Sequence, residues 1–247
     1  MIKHLFGLIG YPLSHSFSKR YFSEKFQRES IINSAYELFE IKTIHELSEV
    51  LKQPNLRGLN VTIPYKQQVM QYVDTLDPVA ERIGAVNTVR VENNKKVGFN
   101  SDYYGFRDSL LPWLDGASAS QALVLGTGGA SKAVVCVLQD LSIDYSYVSR
   151  RTSERAISYA DLKQKNLQDF LLIINTTPLG MSPNTETYPD LDYQQLTSKH
   201  FCYDLVYNPE ETAFMKLARE QGTQVKNGLE MLHLQAEKSW EFWNRDE

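Results

Sequence analysis

The feature that most constrains the fold is an apolar run that leads directly into a cluster of glycines. Residues 122–125 are apolar without interruption, and the chain then reads Gly126, Thr127, Gly128, Gly129, Ala130. Apolar residues at helical spacing follow, so the stretch predicts a strand, a tight turn and a helix. At such a turn the backbone can approach a pyrophosphate, and the helix N-terminus offers unpaired N–H groups. The stretch favours a nucleotide site over an ordinary glycine-rich turn, which is the alternative.

The strand predicted next along the chain carries a second nucleotide signal. It ends in Ser149-Arg150-Arg151-Thr152, and Arg155 follows. NAD-binding folds place an acidic residue at this strand end, where it accepts a hydrogen bond from the ribose hydroxyl. Arginines instead suit a 2′-phosphate, because guanidinium groups pair with phosphate oxygens and an acid would repel them. The pattern predicts NADP, with a solvated basic loop as the alternative.

Composition excludes several other classes of protein. The chain has 247 residues, 42 % of them hydrophobic, and a formal net charge of −4. It has enough apolar residues for a sizeable core and no basic surplus that would indicate nucleic-acid binding. No apolar run approaches the roughly 20 residues of a membrane span, and the N-terminus is too soon polar for a signal peptide. We expect a cytoplasmic protein that binds neither membrane nor nucleic acid.

The cysteines and possible metal ligands point the same way. Cys136 and Cys202 lie far apart in apolar patterns, which predicts two buried free thiols in a reducing compartment. No cluster of His, Cys and carboxylate residues has the spacing of a metal site. We therefore expect metal-independent chemistry.

Polar residues collect where predicted strands end in the N-terminal half. Ser14 and Ser16 precede a helix, Thr62 and Lys66 flank the start of a helix predicted over residues 65–73, and Asp102 begins another helix. Small anions and substrates bind at such places in α/β proteins. Each residue also has an ordinary explanation, since serine and aspartate cap helices and lysine is commonly solvated.

A glutamine stands out in the last predicted helix, residues 229–243. Gln235 lies on a face otherwise formed by leucine, methionine and tryptophan. A glutamine in an apolar environment requires a hydrogen-bond partner. A bound polyol would supply one.

Eight short motifs in order make the chain resemble the shikimate dehydrogenases, which interconvert 3-dehydroshikimate and shikimate with NADPH. The resemblance covers residues 10–236, and its strength lies in the order of the motifs, because each alone is weak. The motifs are Gly10–Ser18, Asn60–Lys66, Gly84–Thr88, Gly98–Asp102, Gly126–Ala130, Asn175–Met181, Asp204–Pro209 and Gly228–Gln235. Ser101 and Arg150 depart from the family's threonine and asparagine, and the chain is somewhat short.

The resemblance implies a role for each matching residue. Lys66 and Asp102 would form the catalytic pair, with Lys66 as general acid. Leu205 and Gly228 would line the nicotinamide side. Shikimate would be contacted by Ser14, Ser16, Thr62, Asn87, Asp102, Tyr207 and Gln235. The cofactor would be held by Gly126, Thr127, Gly128, Gly129, Ala130, Arg150, Arg151, Thr152 and Arg155.

The same resemblance implies an α/β protein with two domains. Residues 1–105 would form a substrate domain with a mostly parallel sheet, completed by residues 229–247. Residues 106–228 would form a Rossmann-like NADP(H) domain, and a shift to Asp, Gly, Ala and Ser at residues 112–120 lies near its start. We expect a monomer or homodimer acting on a small molecule. The alternatives are a quinate/shikimate dehydrogenase that prefers NAD and a non-enzymatic binding module.

Overall fold

The computed structural model describes residues 2–13, 16–117 and 119–245. The chain divides into two compact units, one formed by residues 1–101 and 236–247 and the other by residues 102–235. Two helices, Ser101–Leu114 and Leu229–Trp243, contain the points where the chain passes from one unit to the other.

The first unit is built on a six-stranded sheet with the order β2-β1-β3-β5-β6-β4. Strand β1 is parallel to β2 and β3, β4 is parallel to β6, and β5 is antiparallel to both of its neighbours. The prediction of a mostly parallel sheet is therefore confirmed. The strands are β1 (His4–Gly10), β2 (Ser34–Glu40), β3 (Leu56–Val61), β4 (Thr75–Leu76), β5 (Thr88–Glu92) and β6 (Lys95–Phe99).

Helices of the first unit are α1 (Phe17–Arg28), α2 (Leu47–Val50) and α3 (Pro78–Ile83), with a short 3-10 helix at Ile44–Glu46. The helix expected over residues 65–73 is wrong, because the chain forms only a 3-10 helix at Gln68–Tyr72. The Lys66 carbonyl accepts a hydrogen bond from the Val86 N–H at 2.7 Å. That carbonyl is thus engaged outside the helix instead of with an N–H one turn later.

The second unit has a six-stranded sheet with the order β12-β11-β10-β7-β8-β9, and every pair in it is parallel. Its strands are β7 (Gln121–Leu125), β8 (Asp144–Ser149), β9 (Ala156–Ser158), β10 (Leu172–Asn175), β11 (Phe201–Asp204) and β12 (Gln224–Lys226). The order reverses at β7, which pairs with both β8 and β10. This is the strand order of a Rossmann fold.

The helices of this part of the chain, in order, are α4 (Ser101–Leu114), α5 (Gly129–Asp140), α6 (Tyr159–Leu162), α7 (Ala213–Arg219) and α8 (Leu229–Trp243). Short 3-10 helices lie at Leu167–Asp169 and Tyr193–Gln195. The expected strand, turn and helix around the glycine cluster are confirmed as β7 and α5.

Each unit has its own apolar core. In the first, Phe6, Phe22 and Trp243 are buried against one another, with the Phe6 and Trp243 rings stacked at 4.9 Å between centroids. In the second, the residues of β7 after Gln121 have no exposed surface at all, which explains their unbroken apolar sequence. Cys136 and Cys202 are buried and free, as predicted.

No helix in the described part of the chain is long and apolar enough to cross a membrane. Among the same residues, no group of three or more His, Cys, Asp or Glu side chains is placed to hold a metal ion.

Gly58 offers a test of the first unit's packing. A Cβ atom at this position would lie 2.3 Å from Trp243 Cδ1 and Nε1, and the same indole donates a hydrogen bond to the Val89 carbonyl at 3.0 Å. We expect Gly58→Ala to lower the free energy of unfolding by about 2 kcal/mol through overpacking. Urea unfolding followed by tryptophan fluorescence measures this change.

Gly129→Ala is the matched control, because a Cβ there would meet no described atom within 4 Å. It should leave the unfolding free energy within about 0.5 kcal/mol of the parent value. Equal stability of both variants would contradict the packing argument.

Candidate active site

The turn after β7 is shaped by a glycine that no other residue can replace without strain. Gly126 has φ +102°, and a Cβ atom there would lie 2.8 Å from Thr177 Cγ2 and 3.0 Å from Thr176 Oγ1. The Thr176 hydroxyl donates to the Leu125 carbonyl at 2.7 Å. The turn is thus fastened to the segment that follows β10.

Beyond Gly126 the turn opens. Cβ atoms at Gly128 and Gly129 would meet no described atom within 4 Å. Gly128 is the N-cap of the 12-residue helix α5, and among the described residues no side chain makes the capping hydrogen bond. Ser131, the small residue at the third glycine position, donates to the Gly128 carbonyl at 2.7 Å. The first N–H groups of a helix have no partner within the helix, and together with the positive helix end and the space beside the backbone they fit the diphosphate of a dinucleotide.

The residues predicted to bind the 2′-phosphate, called the phosphate clamp below, lie in the loop between β8 and β9. Arg150, Arg151, Thr152 and Arg155 are all exposed there. The Thr152 hydroxyl donates to the Asp161 carboxylate at 2.6 Å. An acid therefore does lie close to this strand end, although it comes from α6 and not from the strand.

Sequence reasoning missed Asp161, but a local signal was available. Ser158 and Asp161 form a capping box, in which each side chain accepts a hydrogen bond from the other's backbone N–H. The spacing of a serine followed three residues later by an acid predicts a helix start. That start would have placed a carboxylate in the neighbourhood of Thr152.

A buried carboxylate holds the ends of β10 and β11 together. Asp204 has no exposed surface and accepts hydrogen bonds from Asn175 Nδ2 at 2.9 Å, the Val206 N–H at 3.0 Å and Thr212 Oγ1 at 2.6 Å. Burial is the largest influence and raises the pKa of this carboxyl to about 6, against the three donors, which lower it. The network fixes the segments that follow both strands.

The two residues predicted beside the nicotinamide are in contact. A Cβ at Gly228 would lie 2.2 Å from the Leu205 carbonyl oxygen, so only glycine fits. The Gly228 N–H donates to the Val206 carbonyl at 3.1 Å. Tyr207, which follows in the same segment, has 36 % of its surface exposed.

In the first unit, Asn87 performs a structural task that was not foreseen. Its side chain is buried, and its carbonyl oxygen accepts from the Ser101 N–H at 2.7 Å. Its amide nitrogen donates to Ser101 Oγ at 3.0 Å. The start of α4 is therefore capped by Asn87, and within the described residues the amide nitrogen donates only one of its two hydrogens.

A buried hydroxyl network continues from Ser101. Ser239 Oγ lies 3.0 Å from Ser101 Oγ and 2.8 Å from Thr88 Oγ1. Asn60 Nδ2 donates to Ser239 at 2.9 Å and Tyr36 donates to Asn60 at 2.8 Å. Ser239 and Thr88 were missed. Ser239 stands one helical turn after Gln235, so the argument applied to that glutamine also applies to it.

Three more predicted residues follow strand ends of the first unit. Ser16 is the N-cap of α1, but its buried Oγ makes no capping bond and has no hydrogen-bond partner within the described ranges. Thr62 follows β3 and is half-buried, as is Lys66. A Cβ at Gly10 would lie 2.4 Å from Thr62 Cγ2, so the glycine makes room for this threonine. Ser14 lies outside the described residues.

Asp102 and Gln235 belong to the second unit and come from helices that approach closely. A Cβ at Gly105, one turn after Asp102, would lie 2.7 Å from the Met231 carbonyl and 2.9 Å from Gln235 Cβ. Gln235 Nε2 donates to the Leu232 carbonyl at 2.8 Å. Lys66 lies in the other unit, and its pairing with Asp102 remains a prediction.

Comparisons with known proteins support the same family. A family model described as the shikimate dehydrogenase substrate binding domain matches residues 8–89. The NADP(+)-dependent shikimate dehydrogenase of Methanococcus aeolicus is 37 % identical in an alignment 256 positions long, gaps included, that covers 97 % of this chain and 91 % of that protein. The chain belongs to the shikimate dehydrogenase family.

Solved structures of shikimate dehydrogenases share the fold. One in complex with NADP+ has a TM-score of 0.85 and 31 % identity, and the match covers 99 % of this chain and 92 % of that one. The Thermus thermophilus enzyme in complex with NADP(H) and shikimate has a TM-score of 0.82 and 28 % identity, and the match covers 98 % of this chain and 93 % of that one. The predicted α/β class, with a mostly parallel sheet and a Rossmann-like unit, is confirmed.

Asp204 makes the free energy of unfolding of this protein depend on pH. Its pKa is about 6 in the folded protein and ordinarily 3.8, so between these values the folded state binds more protons than the unfolded state. The contribution of Asp204 to the free energy of unfolding should therefore fall as pH rises, by about 2 kcal/mol between pH 4 and 6 and by about 3 kcal/mol over the whole titration. Asp204→Asn should remove that contribution.

Urea unfolding at several pH values between 4 and 7 measures the effect. Asp144→Asn, at an exposed position, is the control and should keep the parent pH dependence. An Asp204→Asn variant with the parent pH dependence would contradict the assignment.

Proposed function

We propose that this chain catalyses the reversible, NADP-dependent reduction of 3-dehydroshikimate to shikimate, a step of aromatic amino acid biosynthesis. The observation that carries the proposal is the open turn and uncapped start of α5, followed by an arginine loop, on a sheet with Rossmann strand order. It is supported by matches to NADP-dependent shikimate dehydrogenases over nearly the whole chain.

The second unit supplies the cofactor residues of this proposal. Residues 126–130 hold the diphosphate through backbone N–H groups and the dipole of α5. Arg151 and Arg155 bind the 2′-phosphate, with Arg150 and Thr152 beside them. Leu205 and Gly228, which are in contact, line the nicotinamide side of the site. NADPH, when bound, supplies the hydride.

Hydride addition to a ketone leaves an alkoxide that must receive a proton. Lys66 is the general acid in our proposal, because its ammonium group carries a proton and follows the end of β3, where ligands bind in α/β proteins. Asp102, in the first turn of α4, accepts a hydrogen bond from a substrate hydroxyl and orients the ring. In the reverse direction Lys66 takes the proton from the alcohol.

Polar side chains at the strand ends recognise shikimate. Ser16 has a buried hydroxyl without a partner among the described residues, which supports a ligand contact over helix capping. Asn87 retains one amide hydrogen after capping α4. Ser14, Thr62, Tyr207 and Gln235 complete the proposed set. A site with such groups rejects analogues that lack a hydroxyl, because its own polar atoms would be left unpaired.

The remaining expectations concern the protein's surroundings. The net charge of −4 supports a small-molecule substrate over nucleic acid. We propose a monomer or homodimer in the cytoplasm. An NAD-preferring quinate/shikimate dehydrogenase is disfavoured by the arginine loop, and a non-enzymatic binding module is disfavoured by the presence of both Lys66 and Asp102.

Lys66→Ala tests the proposed general acid. The variant should lower kcat by roughly 10² to 10⁴-fold, because the alkoxide loses its proton donor, while NADP affinity and unfolding midpoint stay at the parent values. Steady-state kinetics with shikimate and NADP measures kcat. Lys52→Ala removes an exposed lysine of the same unit and should retain full activity. A Lys66→Ala variant with parent turnover would remove Lys66 from the mechanism.

Arg151→Ala tests the phosphate clamp. Loss of one charged hydrogen-bonding partner should weaken NADP binding roughly 10 to 100-fold, with little change for NAD, which lacks the 2′-phosphate. Titration of both nucleotides by isothermal calorimetry gives the two dissociation constants. Arg219→Ala, at an exposed arginine paired with Glu211, should change neither. Equal losses of affinity for NADP and NAD would show that Arg151 does not bind the 2′-phosphate.

A further inference from the structure

We infer that Asp161 is a positioning residue which, through Thr152, lowers the preference for a 2′-phosphate and helps the site bind the free ribose hydroxyl of NAD. The inference rests on the proposed function, because it assigns the adenosine end of NADP to the loop between β8 and β9. It concerns only residues of the second unit.

The geometry commits the Thr152 proton to the carboxylate. Thr152 Oγ1 donates to Asp161 Oδ2 at 2.6 Å. The same oxygen accepts from the Ser158 hydroxyl at 2.7 Å and the Ser158 N–H at 3.1 Å. Three donors therefore fix this carboxylate, and they hold its pKa below the ordinary value, so it is ionised at neutral pH.

A hydroxyl that donates its only proton to a carboxylate can offer just lone pairs to a ligand. The 2′-hydroxyl of NAD can donate to those lone pairs. The 2′-phosphate of NADP is mainly or wholly deprotonated at neutral pH and presents acceptors, so Thr152 must first release Asp161 to bind it. Asp161 and Thr152 together thus present a hydrogen-bond acceptor to the 2′-hydroxyl, as a single acid at this strand end does in NAD-binding folds.

Charge acts in the same direction as the hydrogen bonds. A fixed carboxylate one hydroxyl away from a phosphate repels it, which we expect to weaken NADP binding about tenfold in this exposed loop. Arg151 and Arg155 attract the phosphate. The cofactor preference therefore depends on two guanidinium groups that favour NADP and one carboxylate that disfavours it. The resulting preference for NADP over NAD is smaller than the arginines alone would give.

The test is the ratio of the NAD and NADP dissociation constants, measured by calorimetry on the full chain without substrate. Asp161→Asn removes the charge at nearly constant shape and should tighten NADP about tenfold, and it should weaken NAD several-fold because Thr152 is no longer held as an acceptor. Thr152→Val removes the hydroxyl and should weaken NAD several-fold, while Thr152→Ser should restore it. If Asp161→Asn and Thr152→Val both kept the parent protein's ratio of NAD and NADP dissociation constants, the inference would be overturned.

Ser158→Ala is the matched control, because it weakens the capping box but leaves the Thr152 to Asp161 hydrogen bond. It should keep the parent ratio, and a change as large as that of Asp161→Asn would assign the effect to loop structure and overturn the inference. The double variant Asp161→Asn, Thr152→Val should show a smaller NAD effect than the two single effects combined. Full additivity would contradict an action through Thr152.

These outcomes are separable from the proposed function. A parent protein that binds both nucleotides but does not oxidise shikimate would refute the function while the ratio still tests Asp161. A parent protein that oxidises shikimate, with an unchanged ratio in Asp161→Asn and Thr152→Val, would refute only the role of Asp161.

Discussion

The pairing of β7 on both of its edges is the constraint on which the second unit depends. Because β8 and β10 both lie parallel to it, the helices and loops after these strands depart in opposite directions at the end of β7. The chain must turn there without filling the space, and Gly126 allows this with its positive φ. Gly128 and Gly129 then leave the start of α5 accessible to a ligand. The proposed dinucleotide site thus depends on strand order and on three glycines.

Buried polar networks perform equivalent tasks in the two units. In the first, Asn87, Thr88, Ser101 and Ser239 fix the start of β5 to the start of α4 and to α8. In the second, Asn175 and Asp204 fix the segments after β10 and β11. Such networks are costly unless every member is paired, and when paired they hold a backbone rigidly. Among the residues proposed to contact ligands, Asp102 directly follows Ser101, and Leu205 and Tyr207 lie in the segment after Asp204.

Much of this arrangement could be predicted from the sequence. Local signals found β7, its glycine turn and α5, because a fully buried strand, a turn and a helix start each leave a distinct pattern. The helix over residues 65–73 failed because the Lys66 carbonyl bonds to Val86, a partner far away in sequence. The same reason hid the capping role of Asn87, since a hydrogen bond between distant residues has no local signature. Asp161 differs, because its capping box with Ser158 is a local pattern that could have located it.

The central claim is tested most directly by following NADPH absorbance after the purified protein is mixed with shikimate and NADP. Parallel reactions replace shikimate with quinate, NADP with NAD, or both. The account predicts rapid turnover with shikimate and NADP, and a lower kcat/KM in each of the other three combinations. Tight shikimate binding without turnover would contradict it in favour of a binding module, and faster turnover with quinate and NAD would contradict the assigned substrate and cofactor.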